Sequence, residues 1–174
     1  MTLTEDIGQN HIVLLITSKS RYNDTVKKIQ IEIDQTAQKI GYVTVNKPFN
    51  TVLEELKNNG INSDKYFFVD AVTATVQTPP VVERCLFINS PTALTDLGLA
   101  FSSLYNEHGC ELVFFDTISL LAVYQEVSTV IKFVHNLITK IRVLNKKAVF
   151  LALKEDSETL IKDLNMFVDK IIEL

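Results

Sequence analysis

The chain is poor in cysteine. Cys85 and Cys110 are its only two, too few for a disulfide framework, and they read as buried thiols in a reducing compartment. Histidine is scarce as well: His11, His108 and His135 are scattered without ligand spacing, which speaks against a metal site of the His/Cys type. There is no basic excess. Lys and Arg number 17 against 21 Asp and Glu, a formal net charge of −4, whereas a protein that wraps nucleic acid needs cations to neutralise phosphates. No apolar run approaches the roughly 18–20 residues that cross a bilayer. The opening Thr2-Leu3-Thr4-Glu5-Asp6 is polar and acidic, unlike a secretory leader. These absences predict no nucleic-acid partner, no membrane and a cytoplasmic location. The chain shows neither an internal repeat nor a low-complexity tract.

Apolar residues are plentiful. A hydrophobic fraction of 47% and a mean hydropathy of +0.16 exclude a disordered chain. A length of 174 residues suits a single domain, 1–174, better than two cores. Short apolar runs at 12–16, 42–45, 66–69, 85–88, 112–115, 148–153 and 168–172 read as strands. Between them lie segments with helical spacing: Val26, Ile29, Ile33, Ala37 and Ile40, with Gly41 ending that helix; a short helix from about Asn50 to Asn59-Gly60; Leu94, Leu97, Phe101 and Leu104; Val127, Ile131, Val134, Ile138 and Ile141; and a last one from Glu158 to about Asn165. Ser90-Pro91 reads as the N-cap and first turn of the helix that follows it. Residues 71–82, with Pro79-Pro80, form a long irregular stretch, which is more often functional or mobile than padding. The alternation predicts an α/β three-layer sandwich around a central, mostly parallel sheet.

The segment Glu111-Leu-Val-Phe-Phe-Asp-Thr-Ile-Ser119 carries the most pointed signal. Four apolar residues end in Asp116, followed by Thr117 and Ser119. Ligands of open parallel sheets bind beyond the carboxyl ends of the strands, where an acid can hold Mg²⁺ through water. The alternative is that Asp116 caps the turn after the strand.

In this setting the chain resembles the RecA/KaiC-like branch of the P-loop ATPases over nearly its whole length. Asp116-Thr117-Ile118-Ser119 matches the Walker B form of that branch. Val43-Thr44-Val45-Asn46-Lys47-Pro48 and Phe67-Phe68-Val69-Asp70-Ala71-Val72 fit its second and third strands. The Ser90-Pro91-Thr92-Ala93-Leu94 and Val168-Asp169-Lys170 segments fit as well. The resemblance implies a RecA-like core with the 148–153 strand between the 12–16 and 112–115 strands, relatives that work as rings, filaments or partner-bound subunits, and an archaeal source.

The same match shows a degenerate phosphate loop. The positions of G-x-x-x-x-G-K-[ST] hold Ser18, Lys19, Ser20, Arg21, Tyr22, Asn23, Asp24 and Thr25. Ser18 and Asn23 replace the glycines that let backbone N–H groups close around phosphate oxygens. Asp24 replaces the cationic lysine, and only Thr25 survives. After the second strand, Asn46-Lys47 stands where the family carries the acid that activates water, and neither residue accepts a proton at neutral pH. The expectation is a catalytically inactive homologue, not an enzyme, with no catalytic residues and no cofactor. It would act as a regulatory or assembly protein through a protein partner or self-association. Weak ATP–Mg²⁺ binding, with Asp116 as the one metal contact, stays open. So does an ATPase with an unusual phosphate loop, or a receiver-like phosphorylation switch using Asp116 and Lys154. Within the loop, Asp24 reads as a cap on the first helix, and Lys19 with Arg21 as a displaced cationic site. Lys154-Glu155-Asp156 reads as a solvated turn, with ligand contact at the sheet edge as its alternative.

Overall fold

A computed structural model describes residues 1–156 and 158–174. The elements are α1 (Leu3–Gln9), β1 (Ile12–Thr17), α2 (Tyr22–Thr36), β2 (Ile40–Thr44), α3 (Phe49–Asn58), β3 (Tyr66–Asp70), β4 (Cys85–Phe87), α4 (Leu94–Asn106), β5 (Leu112–Asp116), α5 (Ile118–Tyr124), α6 (Val127–Val143), β6 (Lys147–Leu153), α7 (Glu158–Leu164) and β7 (Lys170–Glu173). The strands form one seven-stranded sheet in the order β4-β3-β2-β5-β6-β1-β7, with every pairing parallel. The expected place of β6, between β1 and β5, is observed. In a flavodoxin-like receiver β1 lies between β2 and β3. Here it lies between β6 and β7, so the sheet is not a receiver's.

Strand side chains alternate between two cores, as the period of two requires. Leu14, Val43, Val113, Phe115 and Phe150 face α4, α5, α6 and α7. Val13, Leu15, Tyr42, Phe68, Phe114 and Val149 face α1, α2 and α3. Burial on both faces explains why the strands read as continuous apolar runs. Among the described residues no helix is long and apolar enough to cross a membrane.

Two local expectations differ from the structure. Gly41 does not end a helix: α2 stops at Thr36, and Gly41 lies within β2. A Cβ there would come within 2.8 Å of Leu104 Cδ1 and of Val113 Cγ2, so the glycine serves a close approach of α4 to the sheet. Ser90-Pro91 does not open α4. Ser90 Oγ accepts the Thr92 N–H at 3.1 Å in a separate turn, and the helix begins at Leu94. The 71–82 stretch is irregular, as expected, apart from a 3₁₀ turn at Thr73–Thr75, and it is anchored at its start by Asp70, whose carboxylate accepts the Val72, Thr73 and Phe49 N–H groups and the Thr73 hydroxyl at 2.6–2.8 Å. Two short helices, α1 and α5, were not expected. The first is set by a capping box: Thr2 Oγ1 accepts the Glu5 N–H, and the Glu5 carboxylate accepts the Thr2 N–H.

Candidate functional site: the carboxyl edge of β1, β2 and β5

Only Ser18 and a 3₁₀ turn, Lys19–Arg21, separate β1 from α2. The eight loop positions are therefore split. Ser18 to Arg21 form the connection, while Tyr22, Asn23, Asp24 and Thr25 already belong to the first turns of the helix. Ser18 Oγ lies 3.1 Å from Ser20 Oγ. The Lys19 N–H donates to both oxygens of Glu155, at 3.0 and 3.2 Å. The Lys19 ammonium pairs with Asp156 at 2.8 Å, which raises its pKa. The turn after β6, expected to be solvated, thus reaches across to the phosphate-loop position and lays a carboxylate on its backbone.

Thr25 is buried, with its hydroxyl 2.8 Å from that of Thr17 at the end of β1. Asn23 and Asp24 are exposed, as is Arg21. The reading of Asp24 as a cap is corrected: Arg21 holds the N-cap position and no side chain accepts a bond there. Asp24 lies in the first turn, where its charge suits the helix dipole.

Asp116, at the end of β5, is fully buried. The Tyr22 hydroxyl lies 2.7 and 2.8 Å from its two oxygens, sharing one proton between them. The Tyr42 hydroxyl donates to Oδ2 at 3.3 Å. Burial pushes the Asp116 carboxyl up to about 6, with the Tyr22 bond and the Lys47 charge opposing. Burial and the neighbouring Asp116 raise the pKa of both Tyr22 and Tyr42, so the phenols stay protonated donors.

An outer layer holds the phenols. Asn46 Nδ2 donates to the Tyr22 oxygen at 3.0 Å. The Lys47 ammonium sits 5.0 Å from the Tyr22 ring centroid and pairs with Glu55 at 2.6 Å. Gln30 Nε2 donates to Tyr42 at 3.3 Å and to Glu55 at 3.1 Å. Asn46 and Lys47, placed by the resemblance where a base would stand, therefore fix the phenol that covers Asp116.

Thr117 and Ser119 do not join this cluster. Thr117 Oγ1 donates to the Leu151 carbonyl at 2.6 Å, and Ser119 Oγ accepts the Leu153 N–H at 2.7 Å. Both tie the start of α5 to β6. Among the described residues there is no group of three His, Cys, Asp or Glu side chains placed to hold a metal ion. Tyr22, Tyr42 and Glu55 were missed in the sequence. The one signal was Tyr22 itself, a bulky ring in the middle of a loop whose family form is built to let backbone approach a ligand.

The fold is shared with two solved structures from the archaeon Pyrococcus horikoshii. One is a KaiC-like protein, with a TM-score of 0.71, 12% identity, and coverage of 94% of this chain and 72% of that one. The other is an uncharacterised protein in complex with an unknown peptide, with a TM-score of 0.71, 9% identity, and coverage of 95% and 78%. This likeness establishes a KaiC/RecA-like fold. No curated protein matches the sequence. A family model matches residues 14–174, nearly the whole sheet and both helical layers, and the chain accordingly belongs to the family of unknown function DUF7504.

Proposed function

We propose that the chain is a RecA/KaiC-like domain that no longer hydrolyses nucleotide and acts as a regulatory or assembly protein in the cytoplasm, through a protein partner or self-association. The observation that carries this reading is the Tyr22 hydroxyl bridging both oxygens of Asp116. In an active relative of this fold that acid faces a Mg²⁺–nucleotide. Here it accepts hydrogen bonds from the chain's own phenols, its charge is disfavoured by burial, and the Lys19 N–H is used by Glu155. Asp24 would repel a triphosphate where the family has a lysine.

The residues present fit a Mg²⁺–nucleotide poorly, and no cofactor is proposed. The peptide bound to one of the structural relatives favours a role in protein contacts, and the origin of both relatives in an archaeon accords with an archaeal source. The test is ATP turnover by the purified protein with Mg²⁺. Background rates are expected. Turnover that vanishes in Asp116→Ala would instead establish an ATPase with an unusual phosphate loop.

A further inference from the structure

On the helical layer formed by α4, α5 and α6, away from the phosphate-loop edge, α4 and α6 leave a groove of about 330 Å³. Gly98 and Leu137 are buried at its floor, and Phe133 and Leu94 are half-buried along it. Leu99, on the rim, is 64% exposed. Further apolar side chains are exposed at the end of α5. Gln125 Nε2 donates to the Thr92 carbonyl at 3.1 Å, which ties the end of α5 to the approach of α4. Val123 and Tyr124, the last residues of α5 before Gln125, are 65% and 55% exposed. A groove with exposed apolar side chains on its rim is of the kind that marks interaction sites.

Charge selects the occupant. Lys132 and Lys140 line the groove, no carboxylate does, and the chain as a whole carries −4. A local positive rim on an acidic protein favours an acidic partner and rejects basic ones. The α6 residues from Thr129 to Lys140 span about 16 Å at 1.5 Å per residue, the length of roughly three helical turns.

Gly98 adds an independent sign. It lies inside α4, where glycine is unfavourable relative to alanine. A Cβ there would meet the Phe133 ring at 3.5 Å, an ordinary van der Waals contact. Packing of α4 on α6 therefore leaves room for a methyl, and the glycine keeps the groove floor lower than alanine would.

We infer that the α4–α6 groove docks a short amphipathic helix of a partner protein, with apolar anchors at helical spacing set into the Gly98–Leu137 floor and carboxylates meeting Lys132 and Lys140. The helix-in-groove mode uses such i, i+3, i+4, i+7 anchors. The inference rests on the proposed role in protein contacts and names the surface that performs it.

The test uses the full chain expressed in its native host, with a photo-reactive phenylalanine at position 99 and mass-spectrometric mapping of the adducts. The expected result is one partner, cross-linked through an acidic amphipathic segment. Its adduct yield should fall at least tenfold in a Lys132→Glu/Lys140→Glu variant and return when the segment's carboxylates are changed to lysines. Gly98→Ala should lower the yield several-fold without lowering the melting temperature, which separates lost docking from lost folding. No adduct, an adduct with a second copy, a basic cross-linked segment, or a yield indifferent to the lysines would each overturn the inference. ATP turnover is measured on the same preparation. Asp116-dependent turnover would defeat the inactive-homologue reading alone, and an absent adduct at background turnover would defeat the groove alone.

Discussion

The Tyr22 hydroxyl and the Asp116 carboxylate are 94 positions apart in the chain and meet at 2.7 and 2.8 Å. One comes from the first turn of the first long helix, the other from the end of a central strand. Their contact lies at the carboxyl edge of the sheet, with the acid fully buried. The acid is held by the protein's own donors in a setting where water is excluded.

Removing that donor should be costly. In Tyr22→Phe the ring remains but Asp116 keeps only the 3.3 Å bond from Tyr42. A hydrogen bond to a charged group contributes about 1.5–3 kcal/mol, and a loss of about 2 kcal/mol is expected at neutral pH. Urea denaturation of parent and variant measures it. An unchanged midpoint would mean that the bond does not hold the site.

Asp116 should also leave a mark on the pH dependence of stability. Its carboxyl is raised from 3.8 to about 6 in the folded chain, so between these values the native state binds the proton that the unfolded state has released. The native state then holds more protons, and stability falls as pH rises through this window, by about 3 kcal/mol at 1.36 kcal/mol per unit. Below about pH 4 and above about pH 6 this group adds no slope. Asp116→Asn cannot ionise and should flatten the window while equalling or exceeding the parent's stability at pH 7. Denaturation midpoints at half-unit steps from pH 4 to 7 test this. Identical slopes in the two proteins would rule out Asp116 as the source.

Rebuilding the phosphate loop by its sequence motif alone should fail. Ser18→Gly, Asn23→Gly and Asp24→Lys restore the glycines and the cation, yet they leave Tyr22 on Asp116 and Glu155 on the Lys19 N–H. Calorimetric titration of this triple variant with ATP and Mg²⁺ should match the parent. Adding Tyr22→Ala and Glu155→Ala frees the acid and the backbone donor, and affinity should then rise at least tenfold. A triple variant that binds ATP as well as the fivefold one would show that neither side chain blocks the site.

Gly41→Ala tests the packing between the sheet and α4. The new methyl would stand 2.8 Å from Leu104 Cδ1 and from Val113 Cγ2, both fully buried. Overpacking of this kind costs about 1–3 kcal/mol. A denaturation midpoint equal to the parent's would mean that these neighbours yield freely.

The long elements were legible because their apolar residues keep one period over many positions. Leu112 to Phe115 reads as a strand buried on both faces, because the run is short and bounded by polar residues, and the face of Val134, Ile138 and Ile141 reads as one side of a helix. Boundaries were less legible where a glycine had two meanings. Gly41 reads as a helix end along the chain, whereas its real reason is the close approach of Leu104, 63 positions later. The helix α5 hid because it is only seven residues long and almost wholly apolar, so it carries no helical period against a polar face.

By itself the sequence determined the alternation of strands and helices, hence a parallel sheet covered on both sides, and it showed that the phosphate-loop glycines and lysine are replaced. Those properties follow from local patterns of burial and from residue types at fixed spacing. The tertiary structure alone decided what became of the vacated chemistry. Whether Asp116 faces solvent, a metal or another side chain depends on which groups the fold brings to it, and these are Tyr22 of α2, itself held by Asn46 beyond β2, and Tyr42 of β2. Likewise, Glu155 is one acid among many until the pairing of β1 with β6 sets the turn that carries it beside the Lys19 N–H. Hydrogen bonds act over a few ångströms and only in the right direction, so their partners are written in the packing of the sheet and not in the order of the chain.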